Sequence, residues 1–372
     1  MDTLEKAGIL GKAGKYDSCG PKMCEVNISQ GLGGIYHAKA EHESCRIFKT
    51  LMDNRCSFDC RYCANSAGCK KKGASYEPEE LANLFSYLNK NHGVNGLFLS
   101  SAITGDQDKV TEKMLEAVRL VRHKHGFSGY VHFKVLPGTS YDLIKQASEL
   151  SSRMSINIES PNKQVLSELS SCKDYKIDIL RRQAWVSKMD LASGQTTQML
   201  VNDMSTDKDV LKMAGWEYEN MKLKRMYYSA FVPVKGTPLE SKKAEKVSKQ
   251  NHLYNADFLM RDYKFRLKEI IGVMEEGMLP DEDPKLALAK QRESRVDINE
   301  AGYEELIRIP GIGPKTARRL LGCKEKLDTY EKLDRFGVNV KRAAPFIKVN
   351  GWSQRRLGEF YAPDPAKEAT AL

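Results

Sequence analysis

The chain lacks any apolar run approaching the ~18 residues that a membrane-spanning helix needs, and its mean hydropathy is −0.51, so the sequence excludes a bilayer address. Its opening residues, Met1-Asp2-Thr3-Leu4-Glu5-Lys6, lack the charged-then-apolar layout of a secretory leader. Nine cysteines without an export signal point to a reducing cytoplasm, where thiols serve metals or catalysis more often than disulfides. Self-similarity at solenoid periods is also missing, which excludes a repeat array.

What is present amounts to about two domains, because 372 residues exceed the ~250–300 at which single cores stop growing. The net charge is +10, and between Lys290 and Arg356 there are 16 Lys and Arg against 9 Asp and Glu. A basic excess concentrated in this way suits a polyanionic partner, although a solvated lysine face has the same composition. From Arg46 onward, short apolar runs alternate with helical patterns, as repeated βα units do. The predicted strands are 46–52, 96–100, 130–135, 154–158, 196–201 and 226–231. Predicted helices fall at 78–91, 109–124, 140–150, 177–191, 207–221 and 244–263. Six such units suit a partial barrel or a doubly wound sheet, and either one places chemistry at the C-terminal strand ends. The Gly-rich segment 1–45 reads as an irregular extension. An acidic, proline-bounded stretch around 281–296 reads as a linker, and residues 351–372 as a tail.

The first strand runs into Cys56-Ser57-Phe58-Asp59-Cys60-Arg61-Tyr62-Cys63. Three thiolates in one loop can wrap a metal cluster, since they are the soft ligands that iron-sulfur clusters and zinc select. Structural zinc closes its shell with four ligands, and Cys69 or Cys45 would have to complete it; a reactive centre keeps one position open. The remaining cysteines, including the close pair Cys19 and Cys24, form no second set.

The pattern Cys56-x-x-x-Cys60-x-Tyr62-Cys63 after the first strand resembles the signature of the radical S-adenosylmethionine (radical SAM) enzymes. The resemblance implies a partial (βα)6 TIM-like barrel over residues 46–280. It further implies a 4Fe-4S cluster held by Cys56, Cys60 and Cys63, with S-adenosylmethionine on the fourth iron. In that family the reduced cluster cleaves the sulfonium, and a 5′-deoxyadenosyl radical removes hydrogen from substrate. An electron donor such as flavodoxin or ferredoxin is then needed. The cofactor contacts expected from the resemblance are Tyr62; Ser100 and Ser101, where the family often has Gly-Gly-Glu; Asn157 and Glu159 for ribose; Arg182 for the carboxylate; Asn202; and Val232 against adenine. A helix-capping role for the serines and a buried polar pair for Asn157 and Glu159 remain open alternatives. His132 and Lys134 share one face of the third strand, and a lysine there can hold a carboxylate or phosphate.

Near the C-terminus, Ile309-Pro310-Gly311-Ile312-Gly313-Pro314-Lys315-Thr316-Ala317-Arg318-Arg319 reads as helix, tight turn, helix. Free backbone N–H groups at a helix start make a seat for phosphate. A nucleotide P-loop is excluded by the glycine spacing and by the lack of a preceding strand. The run resembles a helix-hairpin-helix motif, and Leu333–Ala343 resembles a second copy with Gly337 at its turn. The resemblance implies a small all-α domain over 297–350 that grips duplex DNA backbone through Gly311, Gly313, Lys315, Thr316, Arg318, Arg319, Gly337, Lys341 and Arg342.

Together the two motifs resemble the DNA modification or repair radical SAM proteins, some of which occur beside a uracil-DNA-glycosylase-like protein. The expected activity is hydrogen abstraction from a nucleotide in DNA. An RNA-modifying radical SAM enzyme and a non-catalytic iron-sulfur DNA-binding protein are the alternatives.

Overall fold

The computed structural model describes residues 1–16, 24–25, 33–39, 44–292 and 294–351. Cys19 and nearly all of the expected tail lie outside these residues. The chain divides into two compact units, Met1–Gln250 and Asn251–Leu372.

In the first unit, β3 (Ser44–Leu51), β4 (Gly96–Ser100), β5 (Tyr130–Lys134), β6 (Arg153–Ser155), β7 (Gln195–Val201) and β8 (Leu223–Ala230) are mutually parallel and lie side by side in chain order. An order that never reverses makes every right-handed crossover advance the same way, so all the helices fall on one face and the sheet curls into an open barrel. A doubly wound sheet would reverse at a switch point, and this one does not. Gly96–Ser100 and Gln195–Val201 are buried throughout, as befits parallel strands covered on both faces.

Helices α2 (Pro78–His92), α3 (Gln107–Arg119), α4 (Tyr141–Leu150), α5 (Lys163–Leu169), α6 (Arg181–Val186) and α7 (Asp207–Asn220) connect the strands. Local chemistry sets their limits. α2 opens with a Glu77/Glu80 capping box and Pro78 in its first turn, and closes on Gly93 at φ 62°, whose N–H bonds Leu88 O. α7 opens with a Thr206/Asp209 box. α3 continues into a π-helical turn over Leu120–Lys124, and another π-helical stretch, Tyr175–Leu180, leads into α6.

The described residues of the N-terminal segment form regular elements that the composition does not suggest. α1 (Thr3–Ala13) is capped by Asp2, and β1 (Cys24–Glu25) pairs antiparallel with β2 (Ile35–Lys39), which in turn pairs antiparallel with β3. Lys6 and Thr3 bind Glu80 of α2 at 2.5 and 2.8 Å. The glycines that disguised this order serve close packing: a Cβ on Gly34, at φ 91°, would lie 2.5 Å from Lys49 O.

The second unit contains most of α8 (Val247–Arg261), together with α9 (Leu267–Ile271), α10 (Pro284–Lys290), α11 (Tyr303–Leu306), α12 (Pro314–Leu321), α13 (Tyr330–Arg335) and α14 (Val340–Ala343). A short parallel ladder joins β9 (Val296–Asp297) to β10 (Ile347–Lys348). The expected linker at 281–296 and the barrel boundary at 280 are therefore corrected. Asp283-Pro284 is a helix start, with Asp283 Oδ1 accepting from Lys285 N and Leu286 N, and Ala289 of that helix joins the core of Leu306, Ile309, Ile312, Leu320, Leu333 and Ile347. An acidic residue before proline signals both a linker and a capped helix, and only packing separates the two.

Gly311 and Gly337 adopt φ 87° and 86°, so the second, more divergent hairpin copy makes the same turn as the first. The turns meet. Asn339 N donates to Gly311 O at 3.0 Å, and Thr316 Oγ1 donates to Gly337 O at 3.2 Å. A Cβ on Gly311 would lie 2.4 Å from Asn339 O, so this glycine is required by hairpin packing before any ligand arrives.

One buried acid stands apart from all of this. Glu217 of α7 is 0% exposed, and neither carboxylate oxygen has a hydrogen-bond partner among the described residues. Burial pushes its pKa up to about 8. A folded pKa above the unfolded value near 4.5 means that stability is full below about pH 4.5 and declines as pH rises through 8. Glu217→Gln is expected to stabilise the protein by on the order of 3 kcal/mol more at pH 8.5 than at pH 4.5, read from urea unfolding at both values.

Candidate cluster and cofactor site

A cavity of about 530 Å³ opens at the C-terminal ends of the parallel strands. Cys56, Cys60 and Cys63 line one wall, supplied by the loop between β3 and α2. Residues at or just beyond the later strands line the rest: Ser100 and Ser101 at β4, Lys134 at β5, Asn157 and Glu159 after β6, Gln198 on β7, and Phe231 and Val232 after β8. Leu51, Ile103, Val135, Leu136 and Leu200 make much of the surface apolar.

The three-cysteine loop is held from several sides. Ser57 N donates to Ile103 O at 2.6 Å and Arg61 N to Leu169 O at 2.9 Å. Asp59, between the first two cysteines, accepts from Ser170 Oγ at 2.7 Å, Ser171 N at 3.0 Å, Ser171 Oγ at 2.5 Å and Cys172 N at 3.3 Å. Burial opposes ionisation of this carboxyl, but the donors from Ser171 and Ser170 outweigh it and hold the pKa far below the usual range. Two backbone amides point at sulfur: Phe58 N lies 3.4 Å from Cys56 Sγ and Asn65 N 3.3 Å from Cys63 Sγ.

Burial pushes the Cys63 thiol up to about 12 and also raises Cys60. Bound iron reverses that preference, since a coordinating thiol is deprotonated outright. Among the described residues, no three His, Cys, Asp or Glu side chains are grouped as a single ion requires. The two cysteines expected to complete a zinc shell are engaged or placed elsewhere. Cys69 Sγ is directed to Gly236 O at 3.3 Å and Cys63 O at 3.6 Å, while Cys45 lies toward the opposite end of β3, beside Gly96. Three thiols sharing one wall of an otherwise open cavity fit a cubane with one free corner better than a closed tetrahedral ion.

Facing the thiols is a buried ion pair, Lys173 Nζ to Glu159 Oε1 at 3.2 Å, with both side chains at most 10% exposed. Burial works against the Lys173 ammonium, but Cys60 and Glu159 outweigh it and raise its pKa. Tyr62 lies beside Glu159, and burial together with that carboxylate holds its phenol well above the ordinary value. Glu159 occupies the left-handed region at φ 64°, held by bonds from its N to Gln198 O and from Leu200 N to its O. A non-glycine residue in that region costs on the order of 1 kcal/mol, and the surrounding bonds fix it there with its side chain turned to the cavity. Lys173 and Asp59 were missed in the sequence reading; their significance rests on contacts across more than 100 residues and across a left-handed backbone, which local patterns do not carry.

The structure brings together Tyr62, Ser100, Ser101, Asn157, Glu159 and Val232 with the three cysteines. The serines are not helix caps, since Asp106 caps α3. Ser101 Oγ is engaged with Asp53 N and Ala102 O, and Ser100 O accepts Met52 N. Asn157 Oδ1 accepts from Lys134 Nζ. Two expected contacts stand elsewhere. The Arg182 guanidinium donates to the carbonyls of Thr139, Gly138 and Ile177 and stacks on Trp185, so it closes a turn instead of facing the cavity. Asn202 Oδ1 accepts Met204 N beyond β7, outside the cavity lining. His132 lies outside that lining as well, buried against Ser155 Oγ at 2.7 Å and the Phe98 ring.

In the second unit, Gly311, Gly313, Thr316, Gly337 and Arg342 line a separate pocket of about 350 Å³ with Tyr263, Asp283 and Lys285. Arg342 pairs with Asp283 Oδ2 at 2.8 Å, and Lys285 Nζ donates to Ile312 O at 2.6 Å. Lys315, Arg318, Arg319 and Lys341 are exposed, with Arg318 over the Tyr303 ring.

Residues 51–214 match the family description of the Radical SAM superfamily, and residues 291–342 match that of a helix-hairpin-helix motif. The radical SAM family uses a 4Fe-4S cluster and S-adenosylmethionine. No curated protein matches the chain. Among solved structures, the FeFe-hydrogenase maturase HydG from Carboxydothermus hydrogenoformans is similar at 14% identity and a TM-score of 0.45, covering 56% of this chain and 49% of its own. Methylornithine synthase PylB is similar at 13% identity and a TM-score of 0.45, covering 56% and 60%. SuiB from Streptococcus suis is similar at 11% and 0.43, covering 57% and 45%. The matched part thus spans about half of HydG and SuiB, and none of these likenesses bears on what this chain acts on.

Removing Lys173 alone would strand Glu159 in a buried site. Lys173→Met is expected to cost the apoprotein about 3–5 kcal/mol. Lys173→Met with Glu159→Gln should recover most of that loss, as a double-mutant cycle of urea unfolding would read it.

Proposed function

We propose, from the premise that residues 51–214 are a radical SAM domain and residues 291–342 a helix-hairpin-helix motif, that this protein abstracts hydrogen from a nucleotide in DNA, for repair or modification. The observation that supports a DNA substrate is the pair of matching glycine turns, φ 87° at Gly311 and 86° at Gly337, each followed by a helix carrying Lys and Arg. Two such turns present amides and cations to a phosphate backbone without reading bases.

In this reading Cys56, Cys60 and Cys63 hold three irons. When bound, the cluster and S-adenosylmethionine supply a carbon radical able to take hydrogen from an unactivated C–H bond. The chain's own residues do the positioning. Lys173 would present a cation to the carboxylate of S-adenosylmethionine, Asn157 and Glu159 would serve its ribose hydroxyls, Ser100 its amino group, and Phe231 and Val232 would offer apolar surface to adenine. Leu51, Ile103 and Leu136 exclude water from the reacting space. A base or sugar must leave the duplex stack to enter.

The test is anaerobic reconstitution with iron and sulfide. A brown protein that releases 5′-deoxyadenosine, faster with duplex DNA than with transfer RNA at equal salt, is expected; Cys60→Ala should abolish the colour and the product. A protein that stays colourless ends the radical reading, and one stimulated only by transfer RNA ends the DNA reading.

Asp283 supplies a sharper check on the hairpin unit, because its Oδ1 caps α10 while its Oδ2 holds Arg342. Asp283→Asn keeps the cap and frees the guanidinium. Duplex binding is expected to tighten about two- to fivefold, with the salt slope steeper by roughly 0.9, measured by fluorescence anisotropy at several salt concentrations.

A further inference from the structure

β3 and β8 are the first and last strands of the parallel arc, and the loops that follow them meet. Leu239 N donates to Arg61 O at 3.3 Å, and Cys69 Sγ lies 3.3 Å from Gly236 O. Beneath them, Phe231 and Leu239 form a buried apolar cluster against which Tyr62 packs. Both loops line the cavity, one through the three cysteines and the other through Val232 and Val234. Together they make a continuous stretch of the cavity's rim.

That rim is basic. Residues 55–72 contain five Lys and Arg against one Asp, and residues 232–249 contain five Lys against two Glu. The few acids are already engaged. Asp59 is bound by Ser170 and Ser171, Glu240 accepts Gly236 N at 2.6 Å, and Glu245 pairs with Lys249 at 3.2 Å. Some of the cations are paired too, Lys72 with Glu5 and Lys242 with Asp203. Lys70, Lys235, Lys243 and Lys246 are exposed, and among the described residues their side chains make no ion pair.

We infer that these two loops form a phosphodiester track beside the cluster cavity, holding the strand that carries the target nucleotide through contacts independent of the hairpin unit. The inference rests on the nucleic-acid reading above and deepens it. A nucleotide entering the cavity brings its flanking phosphates to the rim, where Lys70, Lys235, Lys243 and Lys246 act as point charges on flexible stems. Such contacts carry no sequence information and release counterions. An acidic protein would also be attracted to these lysines, but Lys235 directly follows cavity-lining Val234, and Lys70 directly follows Cys69, whose Sγ meets Gly236 O. Exposed Val232, at 62%, lies in the same loop and offers apolar surface to an unstacked base.

The test uses the full-length reconstituted protein and a labelled single-stranded oligonucleotide, with binding followed across salt concentrations. Changing Lys70, Lys235, Lys243 and Lys246 together to Ala should lower the slope of log affinity against log salt by about 2–3, since each strand phosphate contributes roughly 0.7. The matching set of four Lys→Arg changes should keep the slope. A second variant, Lys315→Ala with Arg318→Ala and Lys341→Ala, should lower the slope separately for duplex. An unchanged slope in the rim variant, alongside a lowered one in the hairpin variant, overturns the track and leaves the DNA reading standing. Unchanged nucleic-acid binding together with slower cluster reduction by an acidic flavodoxin also overturns it, and assigns the rim to the electron donor. Wild-type protein that binds neither single strand nor duplex overturns both readings.

Discussion

The clasp of Asp59 on Ser170, Ser171 and Cys172 is the contact on which the candidate site depends. It ties the cysteine loop after β3 to the segment after α5, and that same segment delivers Lys173 into the cavity two residues after Ser171. A loop whose three thiols are proposed as ligands needs a shape of its own, because a cluster held at three corners leaves the fourth open to exchange. Fixing the loop through a carboxylate whose donors already outweigh its burial makes the arrangement of thiols a property of the protein. Preorganisation of this kind separates a site that accepts a cofactor in one pose from one that merely chelates iron.

Charge within the cavity follows from the same segment. Buried thiols resist ionisation, and a buried Lys–Glu pair is a weak source of stability, since desolvation offsets most of the attraction. Its value is positional. With Glu159 held in the left-handed region by Gln198 O and Leu200 N, the carboxylate is directed at Lys173 and Tyr62 and away from solvent. A cation and an anion set side by side against three thiols suit a ligand that is itself zwitterionic, and the backbone strain at Glu159 is the cost of that placement.

Much of this was legible from residue pattern, for identifiable reasons. Strands covered on both faces must be continuously apolar, so Gly96–Ser100 was placed to the residue and the other five parallel strands within a few residues of their ends. The cysteine triplet is local in sequence and carried its chemistry with it. What escaped depends on packing between distant segments. The Gly11 and Gly34 contacts turned a glycine-rich start into an ordered helix and sheet edge; Asp283 turned an apparent linker into a helix start; Arg182 went to three carbonyls instead of a ligand. In each case the residue type was compatible with two environments, and only the fold selected between them.

The glycines of the hairpin unit show how far that ambiguity reaches. In the sequence reading Gly311 presents free amides to phosphate, yet its missing Cβ is first required by Asn339 O, 2.4 Å from where that atom would stand. The two requirements do not compete. Packing one turn against the other fixes both, so that their amides and neighbouring cations form a rigid array instead of two mobile loops. Rigidity matters more for this surface than for the lysines around the cluster cavity. Duplex backbone has fixed spacing and rewards a fixed array, whereas an extruded strand is flexible and is held adequately by long side chains that adjust to it. Inflexible glycine turns in one unit and exposed lysines in the other are what the two proposals, duplex on one surface and an unpaired strand on another, separately require.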